Sequence, residues 1–174
     1  CNRRIYDQDV EKSDFGKQKI NLLEYFLATG NGDNWKTSMK KLPVRWGARE
    51  TDLTFYNGME EGDIVLFRAD KGTLGGRSES KTGEAKFFGY GILKKKEVDE
   101  KPYWKEETDG TTRWKHRTIF DPLFIAKENG EDGITVESKS GSGLFFQKAL
   151  FHITDSKAIN NLMSGIVKTM PSLK

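Results

Sequence analysis

Polar and apolar positions along this chain fall into short apolar runs separated by long charged stretches, a β-rich pattern with one helical end. Residues 1–24 are expected to form an arm or short helix, because Cys1 to Gly16 is charged and sparse in apolar side chains. "KQKINLLEYFLATGNGDN" turns apolar and then breaks at a Gly/Asn cluster, which predicts a first core strand over Tyr25 to Thr29. "ETDLTFYNGMEEGDIVLFRAD" predicts a short helical turn on Leu53, Phe55 and Met59, a turn at Glu61 to Asp63, and a buried strand from Ile64 to Arg68. The stretch from Asp70 to Lys86 is rich in Gly, Ser and charge and reads as a long connecting loop. "FFGYGIL" is a further strand, and its two glycines mark a bulge or a close backbone approach. A second charged excursion follows, carrying Trp104 and Trp114 around a turn at Asp109/Gly110. "TIFDPLFIAK", "GITVES" and "GLFFQKALFHI" complete the strands, with turns at Asn129/Gly130 and Ser140 to Gly143.

The chain closes on a helix over 155–170. Thr154 or Asp155 caps it, and Ile159, Leu162, Met163, Ile166 and Met170 recur at helical spacing along one face. The expected architecture is α+β: a curved, roughly six-stranded sheet or small β-barrel flanked by helices, forming one domain over 25–174.

Composition narrows the class. A length of 174 residues suits one domain with a core. With 32% charged residues and a mean hydropathy of −0.70 the chain is polar, yet eleven Phe, five Tyr and four Trp argue against global disorder. The net charge of +3 is modest, so an anion site must come from clustering. A single cysteine, Cys1, excludes a disulfide within the chain and multi-cysteine metal fingers, and fits a cytoplasmic location. No apolar run approaches the ~20 residues of a membrane span, and no charged-then-apolar leader opens the chain. Its start at Cys1 rather than Met reads as a fragment of a longer protein.

Common catalytic motifs are missing. No phosphate-binding loop is present and "GYG" is not a dinucleotide fingerprint, so nucleotide hydrolysis is not expected. His116 and His152 lack partners at metal-ligand spacing, so neither a metal nor a cofactor is expected. Asp121 or Asp132, followed by Glu137 and Lys139, matches the Asp…Glu-x-Lys set of Mg²⁺-dependent nucleases. The plainer reading of Glu137 and Lys139 is the exposed side of a strand running into a Ser/Gly turn.

Clustering does occur in "NWKTSMKKLPVRWGARE". Lys36, Lys40, Lys41, Arg45 and Arg49 interleave with Trp35 and Trp46, while Arg113, Lys115, His116 and Arg117 surround Trp114. Phosphates need cations and flat bases need aromatic faces, so this interleaving suits nucleic-acid binding. Trp35 reads as a core anchor. Trp46, Trp104 and Trp114 fall in polar loop contexts and read as ligand-facing.

"YFLATGN", "LPVRWG", "GDIVLF", "FFGYGIL" and "YW…RW", in that order and spacing, resemble the EVE/YTH group of the PUA-like superfamily, readers of modified nucleobases, over roughly Tyr25 to Ala126. More narrowly, the chain resembles the N-terminal DNA-reading domain of archaeal McrB-type modification-dependent restriction proteins. The resemblance implies a non-enzymatic domain that flips a methylated base out of double-stranded DNA and into an aromatic cage. N6-methyladenine is the first choice, with modified cytosine or modified RNA as alternatives. It assigns Trp46, Trp104 and Trp114 as walls, Asn31 or Asn34 to the base edge, and Gly47 to a position where relatives carry Ser. Lys36, Lys40, Lys41, Arg45, Arg49, Arg113, Lys115 and Arg117 are then expected on flanking phosphates. The loop Gly72 to Gly83, with Leu74, Arg77 and Lys81, is long enough to wedge the gap left by the base, although an ordinary surface loop is the plainer reading. Implied partners are methylated duplex DNA, a C-terminal GTPase region and a McrC-type nuclease.

Overall fold

In the computed structural model, which describes residues 23–69, 86–108, 110, 113–125, 134–135 and 149–169, the apolar runs become strands of one mixed sheet. In chain order the elements are β1 (Tyr25–Gly30), α1 (Gly32–Lys40), β2 (Val44–Ala48), a 3-10 turn (Glu50–Asp52), α2 (Leu53–Gly58), β3 (Ile64–Ala69) and β4 (Lys86–Val98). They continue with α3 (Lys105–Thr108), β5 (His116–Ile125), β6 (Ile134–Thr135), β7 (Leu150–Ile153) and α4 (Ser156–Thr169). Across the sheet the order is β2-β5-β4-β3-β1-β7, with the short β6 paired to β4. β1 and β3 run parallel and the other pairs antiparallel. The expected α+β class is therefore observed: among the described residues, six strands in one path, with β6 added on β4, form a curled, half-barrel sheet flanked by four α-helices.

The central strands are apolar on both faces, and packing explains why. Phe26, Ala28, Val65, Phe67 and Phe88 enter one core with Trp35, Trp46 and Trp104. Leu27, Leu66, Phe87 and Ile153 enter another, beneath Ala158 and Leu162 of α4. A strand covered on both sides loses polar alternation and reads as a continuous apolar run. α4 starts where Asp155 Oδ1 accepts the amides of Lys157 at 2.8 Å and Ala158 at 2.9 Å, so Asp155 supplies the cap. β4 runs further than its apolar core, through Lys94, Lys95 and Lys96, and its pairing with β5 shifts between Tyr90 and Gly91. A Cβ at Gly91 would lie 2.8 Å from the Asp121 carbonyl oxygen, the close backbone approach expected of this strand.

Ala149, immediately ahead of β7, draws the two ends of the sheet together. Its carbonyl accepts the Trp46 indole N–H of β2 at 3.1 Å and the Thr29 amide of β1 at 2.9 Å. Its own N–H donates to Asp52 Oδ2 at 3.2 Å. The wedge-loop candidates Leu74, Arg77 and Lys81, the carboxylate set Asp132, Glu137 and Lys139, the two late turns, and residues 1–22 of the arm lie outside the described residues, as do the side chains of Ile166 and Met170. Among the described residues no helix is long and apolar enough to cross a membrane.

Candidate nucleobase pocket

The Gly/Asn cluster after β1 is a helix start. Asn31 caps α1, its Oδ1 accepting the Asn34 amide at 2.9 Å. The helix carries Trp35 inward, where its indole N–H donates to the Arg68 carbonyl at 2.9 Å and its ring stacks on Trp46 at 4.0 Å and 9°. Trp35 is thus the anchor expected, and it also backs the first proposed wall.

Trp46 and Trp104 require a correction. Neither is a loop residue that packing can spare, since they are only 5% and 1% exposed. Trp46 belongs to β2, where its backbone carbonyl accepts the Thr118 hydroxyl at 3.1 Å. The charge beside it, Arg45, points to the other side of the strand, because successive strand residues alternate faces. Trp104 donates its indole N–H to the Asn34 carbonyl and to Ser38 Oγ, both at 3.1 Å. Trp114 is half-buried, nearer to the expectation.

One buried carboxylate organises the excursion that holds Trp104 and Trp114. Glu107 accepts the amides of Tyr103 at 2.7 Å, Trp104 at 3.2 Å and Trp114 at 2.8 Å. Arg117 balances it, with Nη2 3.3 Å from Glu107 and Nη1 2.7 Å from Asp99. Arg117 also donates to the carbonyls of Trp114 and Lys101. At 1% exposure its guanidinium is unreachable for phosphate, which corrects its assignment to the DNA backbone. The Lys101 amide, donated at 3.0 Å, and the nearby Arg117 cation hold the Asp99 carboxyl below its ordinary range. Burial pushes the Tyr103 phenol up, and its hydroxyl donates to the Lys41 carbonyl at 2.9 Å.

These elements enclose a cavity of about 370 Å³. Its aromatic walls are Trp46, Trp104 and Trp114, with centroids 5.8 Å apart at 70° for the first pair and 5.6 Å apart at 82° for the second. The rings therefore meet as sides of a box and do not form a stack. Glycine makes the box possible. A Cβ at Gly30 would lie 2.2 Å from the Trp46 ring, and one at Gly47 would lie 2.3 Å from Trp114 Cβ. Ser, the residue the resembled family carries at the position of Gly47, has no room here.

Thr29, Asn31, Asn34, Arg49 and Glu106 supply the polar lining. Both expected asparagines reach the cavity, but they turn toward Glu106, which sequence reasoning missed. Asn31 Nδ2 donates to Glu106 Oε1 at 3.1 Å, and the Asn34 amide, with its nitrogen facing Glu106, donates at 3.1 and 2.9 Å. Glu106 sits in "WKEETDG", which reads from sequence as a charge run in which nothing marks one carboxylate from the next. Thr29 borders the cavity from β1, but its side chain, 2% exposed, alternates with Ala28 and Gly30 to the opposite face of the sheet from Trp46, and among the described residues its hydroxyl makes no hydrogen bond. A buried hydroxyl without a partner costs about 1 to 3 kcal/mol.

The remaining cations divide by what holds them. Arg45 pairs with Glu97 at 3.0 Å, and Lys41 donates to the Tyr103 carbonyl at 2.9 Å while lying 4.8 Å over that ring. Lys36 lies 3.5 Å from Asp33, Arg113 donates to the Glu100 carbonyl at 3.2 Å, and Lys115 is 4.0 Å from Glu100. Arg49 lines the cavity and is exposed, as is Lys40 at the end of α1. Asp121, a member of the alternative nuclease set, is exposed and pairs with Lys94 at 3.2 Å. Among the described residues no group of His, Cys, Asp and Glu is arranged to hold a metal ion.

No family model matches the sequence, and no curated protein matches it. Solved structures show some similarity to it. The NMR structure of Rpa0253 from Rhodopseudomonas palustris is similar over 87% of this chain and 99% of its own, at 10% identity and a TM-score of 0.52. The crystal structure of PSPTO5229 from Pseudomonas syringae covers 80% of this chain and 97% of its own, at 16% identity and a TM-score of 0.48. At such identity the likeness to Rpa0253 is one of fold alone.

Proposed function

We propose that this chain reads a methylated base in duplex DNA, with N6-methyladenine the first choice, by accepting the flipped base into the tryptophan-walled cavity. In this reading it is a non-enzymatic target-recognition domain of a modification-dependent restriction system, working with a GTPase region and a McrC-type nuclease. The observation that carries the proposal is the convergence of Trp46 from β2 with Trp104 and Trp114 from the excursion ahead of β5 on one cavity with polar groups on its rim. The volume of about 370 Å³ falls within the range of small-ligand pockets.

The energetics suit a reader. Extruding a base costs a few kcal/mol, and aromatic stacking returns about 1 to 3 kcal/mol. Selection then rests on the methyl group, worth roughly 0.8 kcal/mol on burial, and on about 1 to 3 kcal/mol lost when an unmodified amine buries an unpaired N–H. Arg49 beside the cavity and Lys36 and Lys40 on α1 are the cations in this reading that hold the flanking phosphates.

The test is a titration of the chain against matched duplexes carrying N6-methyladenine, 5-methylcytosine or no modification, at one fixed salt concentration. Tighter binding of the N6-methyladenine duplex is expected, and equal affinity for all of them would overturn the proposal. Trp114→Ala is the variant of choice, because Trp46 and Trp104 are core residues whose truncation costs about 3 to 5 kcal/mol of stability. It should abolish the preference and leave the salt-dependent background in place. Mg²⁺-dependent nicking of the duplex by the chain would instead favour the carboxylate set Asp132, Glu137 and Lys139.

A further inference from the structure

Glu106 is the polar group of the cavity that its reading as an aromatic cage leaves unused. The Glu106 carboxylate is gripped by Asn31 and Asn34, whose side-chain amides donate to it at 2.9 to 3.1 Å. A carboxylate offers about four lone-pair sites, so three such donations leave an acceptor open toward the cavity it lines. The amides fix the position of that acceptor.

We infer that Glu106 is a specificity-determining residue that accepts a hydrogen bond from an exocyclic amine N–H of the ligand. This rests on the reading of the cavity as a base pocket and names the class of base it takes: an aminopurine or aminopyrimidine. Adenine presents an N6–H and cytosine an N4–H donor, whereas thymine turns a carbonyl oxygen to the same place and would meet the carboxylate with lone pairs. One methyl on the amine leaves one N–H. Two methyls leave none. The site should therefore accept a singly methylated amine and reject a doubly methylated one, a distinction that three tryptophan walls alone do not make.

The experiment uses the full chain and duplexes carrying, at one position, N6-methyladenine, N6,N6-dimethyladenine, 5-methylcytosine, N4,N4,5-trimethylcytosine or no modification. Wild-type protein is expected to bind the preferred N–H-bearing base at least about tenfold more tightly than its dimethylated counterpart. Glu106→Gln keeps the size of the side chain but turns an amide N–H toward the ligand, since the asparagine amides retain its oxygen. It should weaken binding of the N–H-bearing base by about tenfold, equivalent to roughly 1.4 kcal/mol, and leave the dimethylated duplex unchanged. Should this variant melt early, the wild-type comparison decides alone. A dimethylated base bound as tightly as its N–H-bearing counterpart overturns the role of Glu106, and so does a tenfold gap that survives Glu106→Gln in a folded protein. In either case the cage reading stands if a modified duplex still outcompetes the unmodified one. If no modified duplex does, both fall.

Discussion

A methyl group at position 47 would sit 2.3 Å from Trp114 Cβ and 2.9 Å from the Trp104 ring, so the smallest residue of the pocket sets how closely its walls approach. Overpacking of this kind costs about 1 to 3 kcal/mol. Gly47→Ser is accordingly expected to lower the melting temperature by at least about 2 °C in a chain of this length and to reduce binding of the modified duplex more than that of the unmodified one. Thermal melts paired with duplex titrations check both. An unchanged melting temperature would mean that Trp114 yields without cost. The sequence allowed Gly47 to be singled out, but only as a departure from a pattern; the reason for it is the side chain behind it, Trp114, which lies ahead of β5 and outside any local window. Trp35 and Trp46 teach a related lesson. Read from their neighbours they divide cleanly into anchor and ligand wall, yet their stacking at 4.0 Å makes the anchor part of the wall's support.

Among the elements, the excursion between β4 and β5 holds its shape through Glu107 and Arg117 more than through regular structure, since α3 is a single short turn. Glu107 fixes the amides of Trp104 and Trp114 together, and so sets the spacing of two walls from one buried carboxylate. Breaking a buried pair strands the surviving charge at a cost of about 3 to 5 kcal/mol. Glu107→Gln, which retains the shape but strands Arg117, should destabilise the chain by an amount of that order in urea unfolding, with a red shift of tryptophan emission as the walls part. A loss under ~1 kcal/mol would show that Asp99 alone satisfies Arg117. These roles were not legible in the sequence, where Arg113 to Arg117 looks like a uniform basic run. Which cation is buried depends on β5 register, and Arg117 lies opposite Gly47, where space exists for the backbone it ties down. The strands themselves were legible, because covering both faces of the sheet writes an apolar run into each of them. Helix α1 was not, since its mean character is polar and only its cap at Asn31 announces it.

For the molecule as a whole, the ties around Asp99 predict how it responds to acid. Its carboxyl is held below the ordinary 3.8 by the Lys101 amide and by Arg117. The folded form therefore binds this proton less readily than the unfolded chain does. The stabilisation is fully present above the ordinary carboxyl value and disappears as pH falls through the depressed one. Melting temperatures taken from pH 6 down to pH 2.5 should fall more steeply for the wild type than for Asp99→Asn, the two curves converging at the acid end. Parallel curves would place the acid sensitivity elsewhere. The curl of the sheet has a different kind of consequence. Trp46 and the Ala149 carbonyl that receives its indole N–H are 103 positions apart in the chain, and Thr29, Trp104 and Trp114 come from further segments between and before them. Such a cavity is not a portable motif. Moving any one stretch of this chain into another protein would carry a wall without its ceiling, so inheritance or engineering of the pocket has to proceed by the whole domain.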